Sequence, residues 1–175
     1  QYSTNMNSAN EVLSLDEKQV DGLPENFKDT YRLEDGSYKI PVINATSGTV
    51  MSNATSSEVR KSFSIIKTNI AADKNLTILD SLVSKRYQLG KIMGYDSYAG
   101  YNLKPKMAKT PERVWEFIDG LVAESKAKAL KDIALLKTVR NIDKNTPKND
   151  NPINPWDIGY YNNQLLKTKY NVDYE

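Results

Sequence analysis

From Ala45 onward, apolar residues return with the period of a helix. Thr55-Ser-Ser-Glu58 has the form of a capping box, and Val59, Phe63 and Ile66 follow it on one face. Leu76, Leu79, Val83, Leu89 and Met93 keep roughly the same spacing. Gly94 is a suitable stop, because glycine tolerates the left-handed conformation at a helix end. A short helix is predicted over 96–103, ended by Pro105. Thr110-Pro111-Glu112 is a strong start signal: threonine caps, proline fits the first turn, and glutamate favours the positive end of the helix dipole. Ile118, Val122, Ser125, Ala129, Ile133 and Leu136 then form one stripe, which predicts the longest helix of the chain over about 110–140.

The first thirty residues are polar with short apolar clusters. Ser14-Leu-Asp-Glu17 fits another capping box and predicts a short helix through Val20, broken by Gly22-Leu-Pro24. Tyr31-Arg-Leu33 and Tyr38-Lys-Ile-Pro-Val-Ile43 flank Asp35-Gly36, which supplies the positive φ of a tight turn. That pattern predicts a β-hairpin over 31–43, with Pro41 at an edge or a strand end. A polar loop over 141–153 separates the long helix from a last one, 154–175, opened by Asn154-Pro155-Trp156-Asp157. The expected organisation is one helical segment: a polar lead-in (1–30), the hairpin (31–43), a helical bundle (45–140), the loop and the last helix.

Composition narrows the chemistry. Lys and Arg number 24 against 22 Asp and Glu, a balance that gives no electrostatic case for nucleic acid as a partner. No apolar run approaches the ~20 residues of a membrane span. The chain has no cysteine, which removes disulfides, thiolate metal sites and Cys nucleophiles but leaves the compartment open, cytoplasmic or periplasmic. It also has no histidine, which removes a Ser-His-Asp triad, a His general base and any imidazole metal ligand. A zinc site here would have to be all-carboxylate, which zinc rarely uses.

Other signatures fail or favour a plain reading. No glycine loop matches a phosphate-binding motif. Asp143-Lys-Asn145 has the start of a calcium loop, but Pro147 and Lys148 stand where a ligand and the turn glycine belong, so a solvated loop is preferred. Asn44-Ala-Thr46, Asn53-Ala-Thr55 and Asn75-Leu-Thr77 are sequons by pattern, a triplet frequent by chance. The eleven tyrosines could furnish a carbohydrate- or peptide-binding surface, although half-burial on amphipathic helices accounts for them more simply. Lys126, Lys128 and Lys131 read as a solvated helix face.

Two stretches carry a resemblance. LGKIMGYDSYAGYNLKPKMAKTPERV at 89–114 is similar to the LxxLLGYxxYAxYxLxxxMAKTPExV segment of the M3 (thimet oligopeptidase) family of zinc metallopeptidases. NPWDIGYYNNQLLKTKYNVD at 154–173 resembles that family's PWDxxYYxxxLxxxKYxxD segment. Gly22-Leu-Pro-Glu-Asn-Phe27 and residues 31–43 resemble what the family places upstream, so nearly the whole chain is covered, in a style that looks bacterial.

The resemblance implies a mainly α fold: a helical segment of an M3-type two-lobed peptidase, with the short hairpin near 31–43. It implies an oligopeptidase acting on short peptides held in a deep channel, with catalytic zinc on a His-Glu-x-x-His helix downstream of residue 175. On this reading both ends of the chain are cut points in a longer protein. The chain carries no catalytic and no metal residue and binds no cofactor, and its partner is the remaining catalytic segment. Trp156, Asp157, Tyr160 and Tyr161 are the candidates to face the substrate channel. A simpler account of the same residues is favoured, in which Asn154 caps the helix, Asp157 bonds back to the cap and Trp156 anchors the core. The alternative function is a catalytically inactive homologue or a stand-alone helical interaction module; a carbohydrate-binding module would need a flat, exposed aromatic cluster.

Overall fold

The computed structural model describes residues 1–143, 148 and 150–172. It is mainly α, with one two-stranded antiparallel sheet. The elements run α1 (Tyr2–Ser8), β1 (Val12–Leu15), α2 (Glu25–Tyr31), β2 (Tyr38–Pro41), α3 (Asn44–Asn53), α4 (Ser57–Thr68), α5 (Ala72–Ile92), α6 (Tyr98–Leu103), α7 (Pro111–Ile142), a 3-10 turn (Pro155–Asp157) and α8 (Ile158–Tyr170). Among the described residues no helix is long and apolar enough to cross a membrane.

Two compact units divide the chain. One comprises Gln1–Ser8 and Ala71–Lys131; the other comprises Ala9–Ile70 and the described part of Asp132–Glu175. The second unit holds the hydrophobic core. Leu13 and Leu15 of β1 meet Ile40 and Tyr38 of β2, and beneath them lie Val50, Val59 and Phe63 from α3 and α4. A second cluster joins Leu136 and Val139 of α7 to Tyr160 and Tyr161 of α8. Each such side chain, fully buried, is worth about 1.5–3 kcal/mol.

The expected hairpin is half right. The turn is present: Gly36 has φ +81°, the Leu33 amide donates to the Ser37 carbonyl at 2.8 Å, and Asp35 accepts from the Ser37 amide at 2.9 Å. β2 lies in the expected arm and ends at Pro41. Its partner, however, is Val12–Leu15, while Tyr31 closes helix α2 and only Arg32 makes a bridge to Tyr38. The helix expected from Ser14 through Val20 is therefore absent: Ser14 and Leu15 belong to β1, and a run of turns follows over 17–22. Leu13 and Leu15 are buried while Val12 and Ser14 are exposed, a period of two that only a paired sheet satisfies. The turn after β1 is held instead by Asp16, whose carboxylate accepts from the Lys18 and Gln19 amides at 2.9 Å each.

The helices follow expectation more closely. α4 is capped by Ser56 rather than Thr55, its hydroxyl accepting from the Val59 amide. α5 ends on Gly94 (φ +79°), where the Tyr95 amide reaches the Gly90 carbonyl and the Gly94 amide reaches that of Lys91. Those two bonds are the paired closure of a Schellman cap. α7 begins one residue after Thr110, whose hydroxyl accepts from the Arg113 amide, and ends within two residues of the expected 140. The last helix departs in detail: it opens as a 3-10 turn, and the Asn154 side chain makes no capping bond. Residues 144–147 and 149 of the expected polar loop, including Asn145 and Pro147 of the calcium-loop pattern, lie outside the described residues, as do 173–175 of the last helix.

Candidate functional site

The second unit concentrates its polar chemistry where α4 meets the turn before α8. The turn exists because Pro155 fixes φ at its first position and the Asp157 amide closes it on the Asn154 carbonyl at 2.9 Å. This brings Asp157 against Arg60, one turn into α4. Arg60 is 1% exposed and Asp157 is 5% exposed. The guanidinium Nε and Nη2 both donate to Asp157 Oδ1, the former at 3.0 Å. Nη1 donates to the carbonyls of Ala54 and Thr55, the latter at 3.0 Å, so Arg60 also closes the end of α3. Ser57 donates to Oδ1 at 2.8 Å and Asn154 Nδ2 donates to Oδ2 at 3.1 Å. Both carboxylate oxygens are thus occupied by groups of the chain itself.

Aromatic rings complete the site. The Arg60 guanidinium lies 4.1 Å from the Tyr160 ring centroid, and Tyr160 meets Tyr161 edge-on at 5.3 Å. Burial pushes the Tyr160 phenol up to about 12; the Asp143 carboxylate adds to that, and Arg60 opposes it. Trp156 is half-buried, with its indole N–H donating to Ser57 Oγ at 3.3 Å. α8 then leaves along α3. Gly159 allows this close approach, since a Cβ there would lie 3.2 Å from the Met51 carbonyl oxygen. Asn163 is buried and donates to the Ser52 carbonyl and to Asn53 Oδ1 at 3.0 and 2.9 Å.

Of the four residues singled out in the sequence, Asp157, Tyr160 and Tyr161 are buried within the unit, and Trp156 alone offers much surface. The local capping account holds in part: Asp157 Oδ2 does reach back to Asn154, but to its side-chain amide, while Oδ1 serves Arg60 and Ser57, about a hundred positions away in sequence. Sequence reasoning missed Arg60 altogether. It sits in a helical stretch with Lys61 and reads as a surface cation, and nothing local marks its partner. Also missed was a cleft of about 860 Å³ between α2 and α3, lined among others by Tyr31, Ser52, Asn53 and Asn163.

With no histidine or cysteine in the chain, no imidazole or thiolate nucleophile or metal ligand is available. Among the described residues no group of three acidic side chains is placed to hold a metal ion. The donor set therefore does not fit zinc, and no hydrolytic step is assigned to these residues. Of the sequon asparagines, Asn75 is buried and bonded to Asn5 and to the Tyr2 carbonyl, Asn53 accepts from Asn163, and Asn44 is exposed. In the other unit Tyr95, Tyr98 and Tyr101 cluster with rings tilted by 56° to 59°, which is not a flat stacking platform.

Comparison with known proteins places this geometry in context. The family model of peptidase family M3 matches residues 50–175. Over 99% of its length the chain is 27% identical to saccharolysin of Saccharomyces cerevisiae, covering 26% of that protein. It is 22% identical to a probable thimet oligopeptidase of Arabidopsis thaliana, over 99% of the chain and 24% of the relative. Over 58% of the chain it is 36% identical to the mitochondrial intermediate peptidase of Yarrowia lipolytica, covering 13% of that protein. The chain thus spans about a quarter or less of the length of these relatives, which are fungal and plant proteins.

Proposed function

Since the chain belongs to peptidase family M3, we propose that it is a segment of a zinc-dependent oligopeptidase that hydrolyses short peptides. It contributes scaffold and channel wall, and the zinc site lies in a segment outside these 175 residues. The family match over 50–175, joined to a chain without histidine, carries this reading. Short peptides are the substrates and the remaining catalytic segment is the partner; zinc belongs to the latter.

Within this role the Arg60–Asp157 pair is a clamp. It fixes the turn that carries Trp156 and leaves the half-exposed indole as the surface this turn can offer a channel. Two measurements test the proposal. The parent coding sequence is read for His-Glu-x-x-His, and zinc is titrated calorimetrically into the 175-residue chain. The expected outcome is the motif elsewhere in the parent, peptide hydrolysis by the full polypeptide, and no tight zinc site on the chain. A tight 1:1 site at neutral pH on the chain alone would overturn it.

A second reading, an inactive homologue or a stand-alone helical interaction module, draws on one observation: the apolar faces that the first unit leaves bare. A parent without His-Glu-x-x-His would favour it.

A further inference from the structure

The cleft of about 860 Å³ between α2 and α3 lies wholly within the second unit and shares no residue with the Arg60–Asp157 clamp. Its size suits a small molecule or a short chain segment. Among its lining residues Glu25 alone is charged, and that carboxylate is paired with Lys28 at 2.8 Å. No Lys or Arg lines the cleft, so it has no cation with which to hold a phosphate or a carboxylate.

The wall carries instead neutral donors and acceptors with capacity to spare. Asn163 is 8% exposed and spends its Nδ2 protons on the Ser52 carbonyl and Asn53 Oδ1, while its own Oδ1 accepts from no described residue. Asn53 spends one amide proton on the Thr49 carbonyl at 3.1 Å and keeps the other. The Thr49, Ser52 and Tyr31 hydroxyls bond to no described residue. A nearly buried carbonyl left without a donor costs more than a made hydrogen bond gains, and a ligand N–H in the cleft would supply that donor. Gly48 is a second, independent sign. It stands inside α3 without a positive φ, and a Cβ there would meet nothing within 4 Å. Glycine inside a helix is less stable than alanine, and here neither a turn nor a packed neighbour requires it. What it provides is a strip of bare helix backbone on the cleft, against which another backbone can lie closely.

We propose that this cleft binds a short, uncharged stretch of peptide main chain. Peptide units alternate N–H donors with C=O acceptors, and the carboxamides and hydroxyls of the wall can meet both in turn. A sugar would need an open, flat ring to stack on. The two rings on this wall, Phe27 and Tyr31, are half-buried and meet edge-on at 62°. Peptides as the available ligand rest on the oligopeptidase reading above, whereas the site itself rests on the cleft.

Peptide-resolved hydrogen exchange tests it on the full parent polypeptide, with a zinc chelator present so that no probe is cut. The probe is acetyl-tetraalanine-amide, which has peptide groups and no charge. At saturation it should slow amides of 25–31 and 44–53 by at least ~3-fold, and those of 57–66 by less. Acetyl-tetraaspartate-amide, for which the cleft has no cation, and maltotriose should not slow them. Ser52→Ala removes one hydroxyl and should raise the titration midpoint about 2- to 10-fold. Gly48→Ala should raise that midpoint by at least ~5-fold while also raising the urea midpoint of unfolding, a split that a merely structural glycine would not show. Ser62→Ala, exposed on α4, should bind as the wild type does. The proposal is overturned if the probe leaves 25–31 and 44–53 unchanged, if maltotriose or the acidic peptide slows them equally, or if Gly48→Ala binds as the wild type. Slowing seen in the 175-residue chain but lost in the parent would also overturn it, because the rest of the polypeptide then fills the cleft. Hydrolysis by the zinc-loaded parent is scored apart. Cleft binding without hydrolysis sinks the oligopeptidase reading and leaves the site standing; hydrolysis without cleft binding does the reverse.

Discussion

Helices α4 and α5 carry apolar residues at the same spacing, yet they have opposite surroundings. Val59 and Phe63 of α4 are buried beneath the β1–β2 sheet, and Phe63 is 0% exposed. Leu76, Leu79 and Val83 of α5 face solvent. A period of 3.6 therefore announces a face to be covered without saying what covers it, or whether the covering group is in the same stretch of chain. In the second unit the cover is a sheet and the turn before α8. In the first unit it is absent from the described residues.

The contrast can be broken experimentally. The largest effect is expected at the clamp: Arg60→Ala or Asp157→Ala removes one member of a buried pair and should cost about 3–5 kcal/mol in urea denaturation, because the other charge is left without compensation. A loss under about 1 kcal/mol would mean that the turn before α8 is held by packing alone. Next comes a matched pair of truncations. Phe63→Ala should cost about 3–5 kcal/mol, whereas Leu79→Ala in the same chain should fall within about 0.5 kcal/mol. Equal losses would show that α5 is covered in solution, and the distinction between the units would fall.

Smaller effects sharpen it. Gly94→Ala places a Cβ at φ +79° with nothing to clash against, so it isolates backbone strain and should cost about 1 kcal/mol. The smallest effect is a pH dependence in the second unit. Tyr160 is raised from 10.0 to about 12, chiefly by burial. Below pH 10 both states hold the phenol proton and this group has no effect. Between 10 and 12 the unfolded chain releases a proton that the folded chain keeps, so stability falls as pH rises, by on the order of 1 kcal/mol. Denaturation midpoints at pH 9 and pH 11, compared between the wild type and Tyr160→Phe, check the sign; a midpoint difference independent of pH would remove the buried phenol from the account.

Much of the fold was legible because its signals are local. The start of α7 is written in Thr110-Pro111-Glu112, since a cap hydroxyl, a fixed φ and a carboxylate near the dipole all act within one turn. The end of α5 is written in Gly94, and the turn at Gly36 in Asp35-Gly36, for the same reason. The candidate site was half legible. The segment around Trp156 and Asp157 stands out in the sequence, and its local turn chemistry is written there, but the distant partners of the Asp157 carboxylate are not.

What the tertiary structure alone decided are pairings across sequence distance. β2 could have folded back on Tyr31-Arg-Leu33, a neighbour by sequence, but it pairs with Val12–Leu15, because Leu13 and Leu15 then close over Val50 and Phe63 while Tyr31 serves α2. Arg60 and Asp157 stand nearly a hundred residues apart, and neither carries a mark of the other. A charge is driven to its partner only after burial has removed water from both, and burial is a property of the assembled core. The sequence by itself determined where helices begin and end, and which faces must leave water; the assembled core decided which of those faces and charges meet.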